Sequence, residues 1–191
     1  MASTRENAAE RRPWRLLKTR ELVRGPYFAV RRDDVIRPDG AQDTYDHVVA
    51  PGSATVLAID DEDRVVLTRQ YIYTWGTRQW RLPGGGVDVT DTTPLAAARR
   101  ELAEETGLSA SHWETLGQVH GADSLSNHVD HVFLATGLST SGPQALEPGE
   151  ADLDVVRLPF AEAVALVEKD QVPHAASAYA LLRAALRRNR R

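Results

Sequence analysis

The chain predicts an α/β domain with a mixed sheet, on three observations. Short β-branched runs separated by turn residues fill its first half, one strongly capped helix sits at its centre, and strand and helix patterns follow. A length of 191 residues suits one domain of ordinary size with additional pieces. Its 42% hydrophobic and 26% charged residues are the balance of a globular protein with a real core.

Residues 1–12 are polar and charged without hydrophobic period and read as a disordered lead-in. Residues 13–49 read as a small N-terminal strand region, where "YFAVRRDDVIRP" alternates weakly and "PDG" at 38–40 signals a turn. The main domain is expected over 50–191. It opens with "ATVLAIDDEDRVVLTRQYIY", which reads as a hairpin with strands at 56–59 and 65–71 around a turn at 60–63. "QWRLPGGGVD" then reads as a strand running into a glycine-rich loop.

The central helix has both ends written into it. Thr93 suits the N-cap, and Pro94 suits the first helical position, where its missing N–H costs nothing. "LAAARRELAEET" supplies strong helix formers, and Gly107 closes the helix. Beyond it, "HVDHVFLAT" at 128–136 reads as a strand, 141–150 as a loop and 152–159 as another strand. Helices are expected at about 160–169 and 174–188.

Composition excludes several functions. A net charge of −4 argues against a general nucleic-acid binder, which needs a cationic surface. The absence of cysteine excludes disulfides and thiolate zinc sites. The start has no apolar segment of signal-peptide type, and no run approaches the roughly 20 apolar residues of a membrane span. A cytoplasmic protein with no membrane or nucleic-acid partner is expected.

The stretch "RRELAEETGL" crowds Glu101, Glu104 and Glu105 onto the helix, where like charges three and four apart repel by about 0.2–0.5 kcal/mol per pair. A solvated face tolerates that cost; a divalent cation among the carboxylates reverses its sign. On a helical wheel Leu95, Ala98 and Leu102 form the core stripe. Glu101 and Glu105 fall at its flank and Glu104 points further out. Edge-of-core carboxylates suit a hard cation, and the adjacent glycines let backbone approach a ligand closely.

From Gly86 the string "GVDVTDTTPLAAARRELAEETGL" resembles the Nudix box, G-x5-E-x7-R-E-U-x-E-E-x-G-U with U a bulky aliphatic. Gly86, Arg100, Glu101, Leu102, Glu104, Glu105, Gly107 and Leu108 match at their spacing, and Thr92 stands where the box has its first Glu. The resemblance implies a Nudix-type α/β/α sandwich that hydrolyses a nucleoside diphosphate linked to X with Mg²⁺ or Mn²⁺. It implies Glu101 and Glu105 as metal ligands with the carbonyl of Gly85, and Glu104 as a further ligand or water-orienting group. The missing first Glu costs Arg100 a partner, for which Asp91 can substitute.

Over residues 14 to 185 the chain looks most like the ADP-ribose/ADP-sugar pyrophosphatase branch, on "VVLTRQY", "WRLPGGG" and "HVFLA". That branch implies a homodimer with N-terminal strands exchanged between subunits. Ile72 replaces its second phosphate-contacting Arg, while Arg81 replaces the Glu of E-L-P-A-G and glycine its Ala. Two candidates stand for the catalytic base: His128 before the "HVFLA" strand, and Glu150 in the later loop. Arg69, Arg78 and Arg81 are candidate phosphate contacts and Trp80 a candidate stacking surface. A nucleoside triphosphate or dinucleotide pyrophosphohydrolase, or a non-catalytic nucleotide-sugar sensor, are the alternative readings.

Overall fold

The structure, a computed structural model, describes residues 13–190; the lead-in expected at residues 1–12 lies outside them. In chain order the elements are β1 (Arg15–Arg24), β2 (Ala29–Ile36), β3 (Gln42–Val49), β4 (Ser53–Ala58), β5 (Arg64–Ile72), β6 (Thr77–Arg81) and β7 (Gly84–Gly86). Then come α1 (Pro94–Thr106), β8 (Leu108–Val119), β9 (Asp130–Thr140), β10 (Asp154–Pro159), α2 (Phe160–Glu168) and α3 (Ala175–Arg188). The chain folds as two compact units, one running to Ala50 with Ala122–Asn127 added, the other holding Pro51–Gly121 and the chain from His128 onward.

The first unit is an antiparallel β1–β2–β3 meander. Opposite charges face each other across its strands, with Arg20 bonded to Asp34 at 2.6 Å and Arg32 to Asp46 at 2.5 Å. The segment Ala122–Asn127 joins it through the Val48 N–H donating to Leu125 O (2.8 Å) and the Tyr45 hydroxyl donating to Ser124 O (2.6 Å).

The second unit holds two sheets, β7-β4-β9-β8 and β10-β5-β6, with β4 and β9 parallel and the other pairs antiparallel. Strand alternation sorts its core into two layers. Ala54, Val56, Ala58 and Val66 pack on Ala97, Ala98 and Leu102 of α1. Leu57, Ile59, Val65 and Leu67 turn the other way, onto Phe160 and Ala163 of α2 and Ala176, Ala180 and Leu181 of α3. Helices therefore cover both faces of mixed β-structure, as the α/β/α expectation required. Among the described residues no helix is long and apolar enough to cross a membrane.

Three local expectations are corrected. The hairpin expected from 56–71 turns where expected but is divided between the two sheets: an Ile59–Val65 bridge and the turn bonds of Asp60 join its arms, because β4 takes β7 and β9 as neighbours while β5 takes β6 and β10. The glycine-rich loop is itself a strand, with Gly85 of β7 opposite Ala54 of β4. Strand β8 was not anticipated. Its sequence LSASHWETLGQV is largely polar and lies at the sheet edge, so it carries little of the hydrophobic alternation that marks a strand.

Candidate functional site

Helix α1 begins and ends as its sequence dictates. The Thr93 hydroxyl accepts from the Ala96 N–H at 3.1 Å, and Gly107 adopts a left-handed φ of 68° while its N–H donates to Ala103 O at 2.8 Å. Fixing both ends fixes which residues face the sheet. Ala97, Ala98 and Leu102 are buried there, and so are two carboxylates, Glu101 at 7% exposure and Glu105 at 2%. They lie deeper than the flanking position expected of them.

Burial at that depth shows in their protonation. Desolvation pushes the Glu101 carboxyl up to about 7, against the opposing influence of Arg100. It pushes Glu105 up to about 8, although the Gly84 N–H donates to Glu105 Oε2 at 2.9 Å. The negative charge of Glu150 raises both further. Glu150 lies at the end of the 3-10 turn Pro148–Glu150, its Oε2 accepting from the Glu147 N–H at 3.1 Å. The charges that act most on the buried pair include Glu150 and do not include His128.

Strand β7 forms the wall opposite. Gly84 has a φ of 155°, which L side chains rarely adopt, and a Cβ at Gly85 would collide with the Glu101 carboxylate. Backbone alone fits between β4 and α1 here.

Arg100 clamps the open side. Its Nη1 donates to Glu101 Oε1 (2.8 Å) and Glu104 Oε2 (2.9 Å), and its Nη2 to Gly86 O (2.8 Å) and Asp91 Oδ2 (3.0 Å). Asp91 thus supplies the charge absent at Thr92, and in return Arg100 holds the Asp91 carboxyl below its usual value.

The residues chosen as substrate contacts divide between the two faces of β5 and β6. Arg81 pairs with Thr68, whose neighbour two residues back, Val66, packs toward α1, so Arg81 shares the carboxylate face. Burial lowers its guanidinium pKa against the fields of Glu105 and Asp130. Trp80 and Arg78 alternate to the opposite face, where Trp80 stacks under Arg69 (5.1 Å to the ring centroid). There Arg78 bonds Asp152 at 3.1 Å and Asp154 at 2.7 Å. With Asp170, Gln171 and Pro173, these three line a cavity of ≈ 280 Å³. His128 belongs to a different group: its Nδ1 lies 2.6 Å from Pro51 O and its Nε2 3.2 Å from Ser53 Oγ, which also bonds Asp130.

Sequence reasoning missed His174 and Ser177. Ser177 Oγ accepts from the Leu82 N–H at 3.0 Å and meets His174 Nδ1 at 2.8 Å, tying the start of α3 to the residue after Arg81. The i, i+3 spacing of a His and a Ser at a helix start was the available signal.

Glu101, Glu105 and the bare backbone of β7 offer desolvated hard oxygen donors, the set a small divalent cation takes. Among the described residues no three acidic or histidine side chains already stand as a ligand cluster, since Arg100 draws Glu104 to its own fork. The fit therefore rests on the buried pair and the backbone, with Glu104 joining by leaving Arg100.

Known proteins share this architecture. The NUDIX domain family matches residues 50–182, and the nucleoside diphosphate sugar hydrolase N-terminal domain family matches 14–48. An ADP-ribose pyrophosphatase of Mycobacterium tuberculosis is 36% identical over 156 residues, covering 82% of this chain and 75% of that protein. An ADP-ribose pyrophosphatase of Bacillus subtilis is 27% identical over 161 residues, 84% and 86% of the two chains. The crystal structure of an ADP compounds hydrolase superposes with a TM-score of 0.78 at 24% identity, covering 90% of this chain and 91% of that one, which shows a common fold. Nudix hydrolases are in general dependent on divalent metals. Because the domain match takes in well over half of its residues, this chain belongs to the Nudix hydrolases and is a pyrophosphohydrolase.

Proposed function

We propose that the enzyme hydrolyses the diphosphate of ADP-ribose or another ADP-sugar, with Mg²⁺ as its cation and Mn²⁺ as a substitute. The carrying observation is the buried pair Glu101 and Glu105, pushed up to about 7 and about 8 against a strand of bare backbone. Such carboxylates are held ready for a cation rather than for solvent. The ADP-sugar reading is supported by the two ADP-ribose pyrophosphatase relatives and by the nucleoside diphosphate sugar hydrolase match at 14–48.

In this reading Glu101, Glu105 and the Gly85 carbonyl hold the cation, and Glu104 adds a ligand or orients water. A divalent cation bound there supplies charge neutralisation at the diphosphate and a lower pKa for its bound water. Arg100 fixes the direction of Glu101 through its 2.8 Å bond. Glu150 takes the proton of the attacking water, a role supported by its influence on both buried carboxylates. His128 is the second candidate for that proton, but its ring is held by Pro51 O and Ser53. Arg81 contacts the substrate from the carboxylate face. Arg69, Arg78 and Trp80 reach it only from around the sheet edge.

The N-terminal strand region of 13–49 is proposed as the dimer element beside a hydrolase domain of 50–191. Exposed Leu16, Leu17, Leu22 and Val23 on β1 support a homodimer. A cytoplasmic location is part of the same proposal.

Product analysis with ADP-ribose, other ADP- and GDP-sugars, dinucleoside polyphosphates and nucleoside triphosphates tests the proposal. Metal-dependent AMP release from ADP-ribose is expected, with Glu105→Gln lowering kcat on the order of 1,000-fold. Cleavage of triphosphates alone would move the substrate. Tight ADP-ribose binding without product would favour the sensor.

A further inference from the structure

Arg81 is a half-buried cation whose guanidinium has no partner among the described residues. Its Nε is shielded from solvent and is, among the described residues, the one buried side-chain polar atom lacking a hydrogen-bond partner. No hydrogen bond or ion pair among those residues engages any nitrogen of its guanidinium; Arg81 is held through its backbone, in register with Thr68 and with its carbonyl taking a long 3.5 Å bond from Thr68 Oγ1. Several less buried arginines, by contrast, hold carboxylates, as Arg32 does Asp46, Arg78 does Asp154 and Arg188 does Asp63, and others lie over aromatic rings, as Arg69 does over Trp80. Burying a charge without partners is costly, and a fold keeps such a group where a ligand completes it.

The surroundings define that ligand. Arg81 ends β6 three residues before Gly84, whose N–H is bonded to Glu105, so its guanidinium stands beside the carboxylate site. Glu105 and Asp130 are near enough for their fields to favour its charge, yet neither is bonded to it. On the α3 side, His174 is pushed down to about 4 by burial and by Arg81 itself and stays neutral, so it adds no competing cation. Its neighbour Ser177 is committed to the Leu82 N–H, which fixes the backbone next to Arg81. A fork of five N–H donors, pre-positioned and unsatisfied, matches an oxyanion able to accept two parallel bonds.

We propose that Arg81 is a metal-independent phosphate-binding residue, its guanidinium taking the non-bridging oxygens of one phosphoryl group of the substrate's diphosphate. This rests on the reading of the substrate as a nucleoside diphosphate derivative. The residue anchors the diphosphate from β6, while the carboxylates of α1 act on it from the other side. Binding of the diphosphate through Arg81 then does not require the cation.

The test is equilibrium binding in EDTA, by calorimetry, of three probes: methylenediphosphonate, the α,β-methylene analogue of ADP-ribose, and adenosine. Wild-type protein is expected to bind both diphosphonates without metal. Arg81→Gln should weaken them about 10–100-fold, Arg81→Lys should restore part of the loss, and adenosine should bind all three proteins alike. Because the Arg81 side chain makes no internal hydrogen bond, Arg81→Gln should melt at or above the wild-type temperature, which separates a lost ligand from a lost fold. Equal diphosphonate binding by wild type and Arg81→Gln would overturn the proposal, as would no metal-free binding by wild type. Arg81-dependent binding of methylenediphosphonate by a protein that fails to cleave ADP-ribose would leave Arg81 as proposed and overturn the substrate.

Discussion

Two arginines flank the same buried carboxylates, and their surroundings differ in kind. Arg100, on α1, completes its hydrogen bonds inside the protein, with Asp91, Glu101, Glu104 and Gly86 O all within 3.0 Å of its terminal nitrogens. Arg81, on β6, completes none with its side chain among the described residues. The first is raised in pKa by its partners and the second lowered by burial. A satisfied guanidinium sets the position of other groups; an unsatisfied one keeps its donors for a ligand. One site thus separates positioning of the acids from recognition of the anion.

The largest break in this comparison comes from Arg100→Gln. It frees Glu104, leaves Glu101 without its 2.8 Å partner and should lower kcat on the order of 100-fold. KM should move much less. A KM effect larger than the kcat effect would assign Arg100 to substrate and erase the distinction from Arg81.

An intermediate effect is expected in the stability of the metal-free protein. Glu101 and Glu105 titrate near 7 and 8 when folded, against 4.5 as their ordinary value. Between these values the unfolded chain binds fewer protons than the folded one, so stability falls as pH rises from about 5 to about 8. Below that window both states are protonated and the penalty is absent. Melting curves in EDTA should show the fall, Glu105→Gln should flatten it, and Mg²⁺ should offset it. A melting temperature that stays flat through the window would mean that the two acids are solvated.

The smallest and sharpest effect concerns the displaced charge. Asp91→Asn should slow turnover about tenfold by loosening Arg100. Adding Thr92→Glu to that variant should recover most of the rate, and Thr92→Glu alone should change little. Failure of the double variant to recover would show that Asp91 does more than hold Arg100.

What could be read from the sequence follows how local each signal is. Helix α1 was legible end to end because Thr93, Pro94 and Gly107 act within one turn of themselves. Glu101 and Glu105 were legible as a pair, but their depth was not, since it depends on β7 pressing against them without side chains. The arms of the expected hairpin parted because their true neighbours, β9 and β10, lie far along the chain. Arg81, Arg69, Arg78 and Trp80 looked equivalent in sequence. Only the register of β6 on β5 assigns the first to one face and the others to the opposite one. His174 and Ser177 lay in an ordinary helix start until the Leu82 amide was seen to end on Ser177.

The bond from Arg100 to Asp91 bears on how such a box drifts over evolutionary time. An arginine side chain is long enough to reach a carboxylate one residue away from the usual place, so acid at 91 holds Arg100 where Thr92 cannot. The box is then constrained by where its charges meet in space rather than by their order in the string. A search that insists on the letter at each place will discard chains in which the chemistry has only stepped sideways.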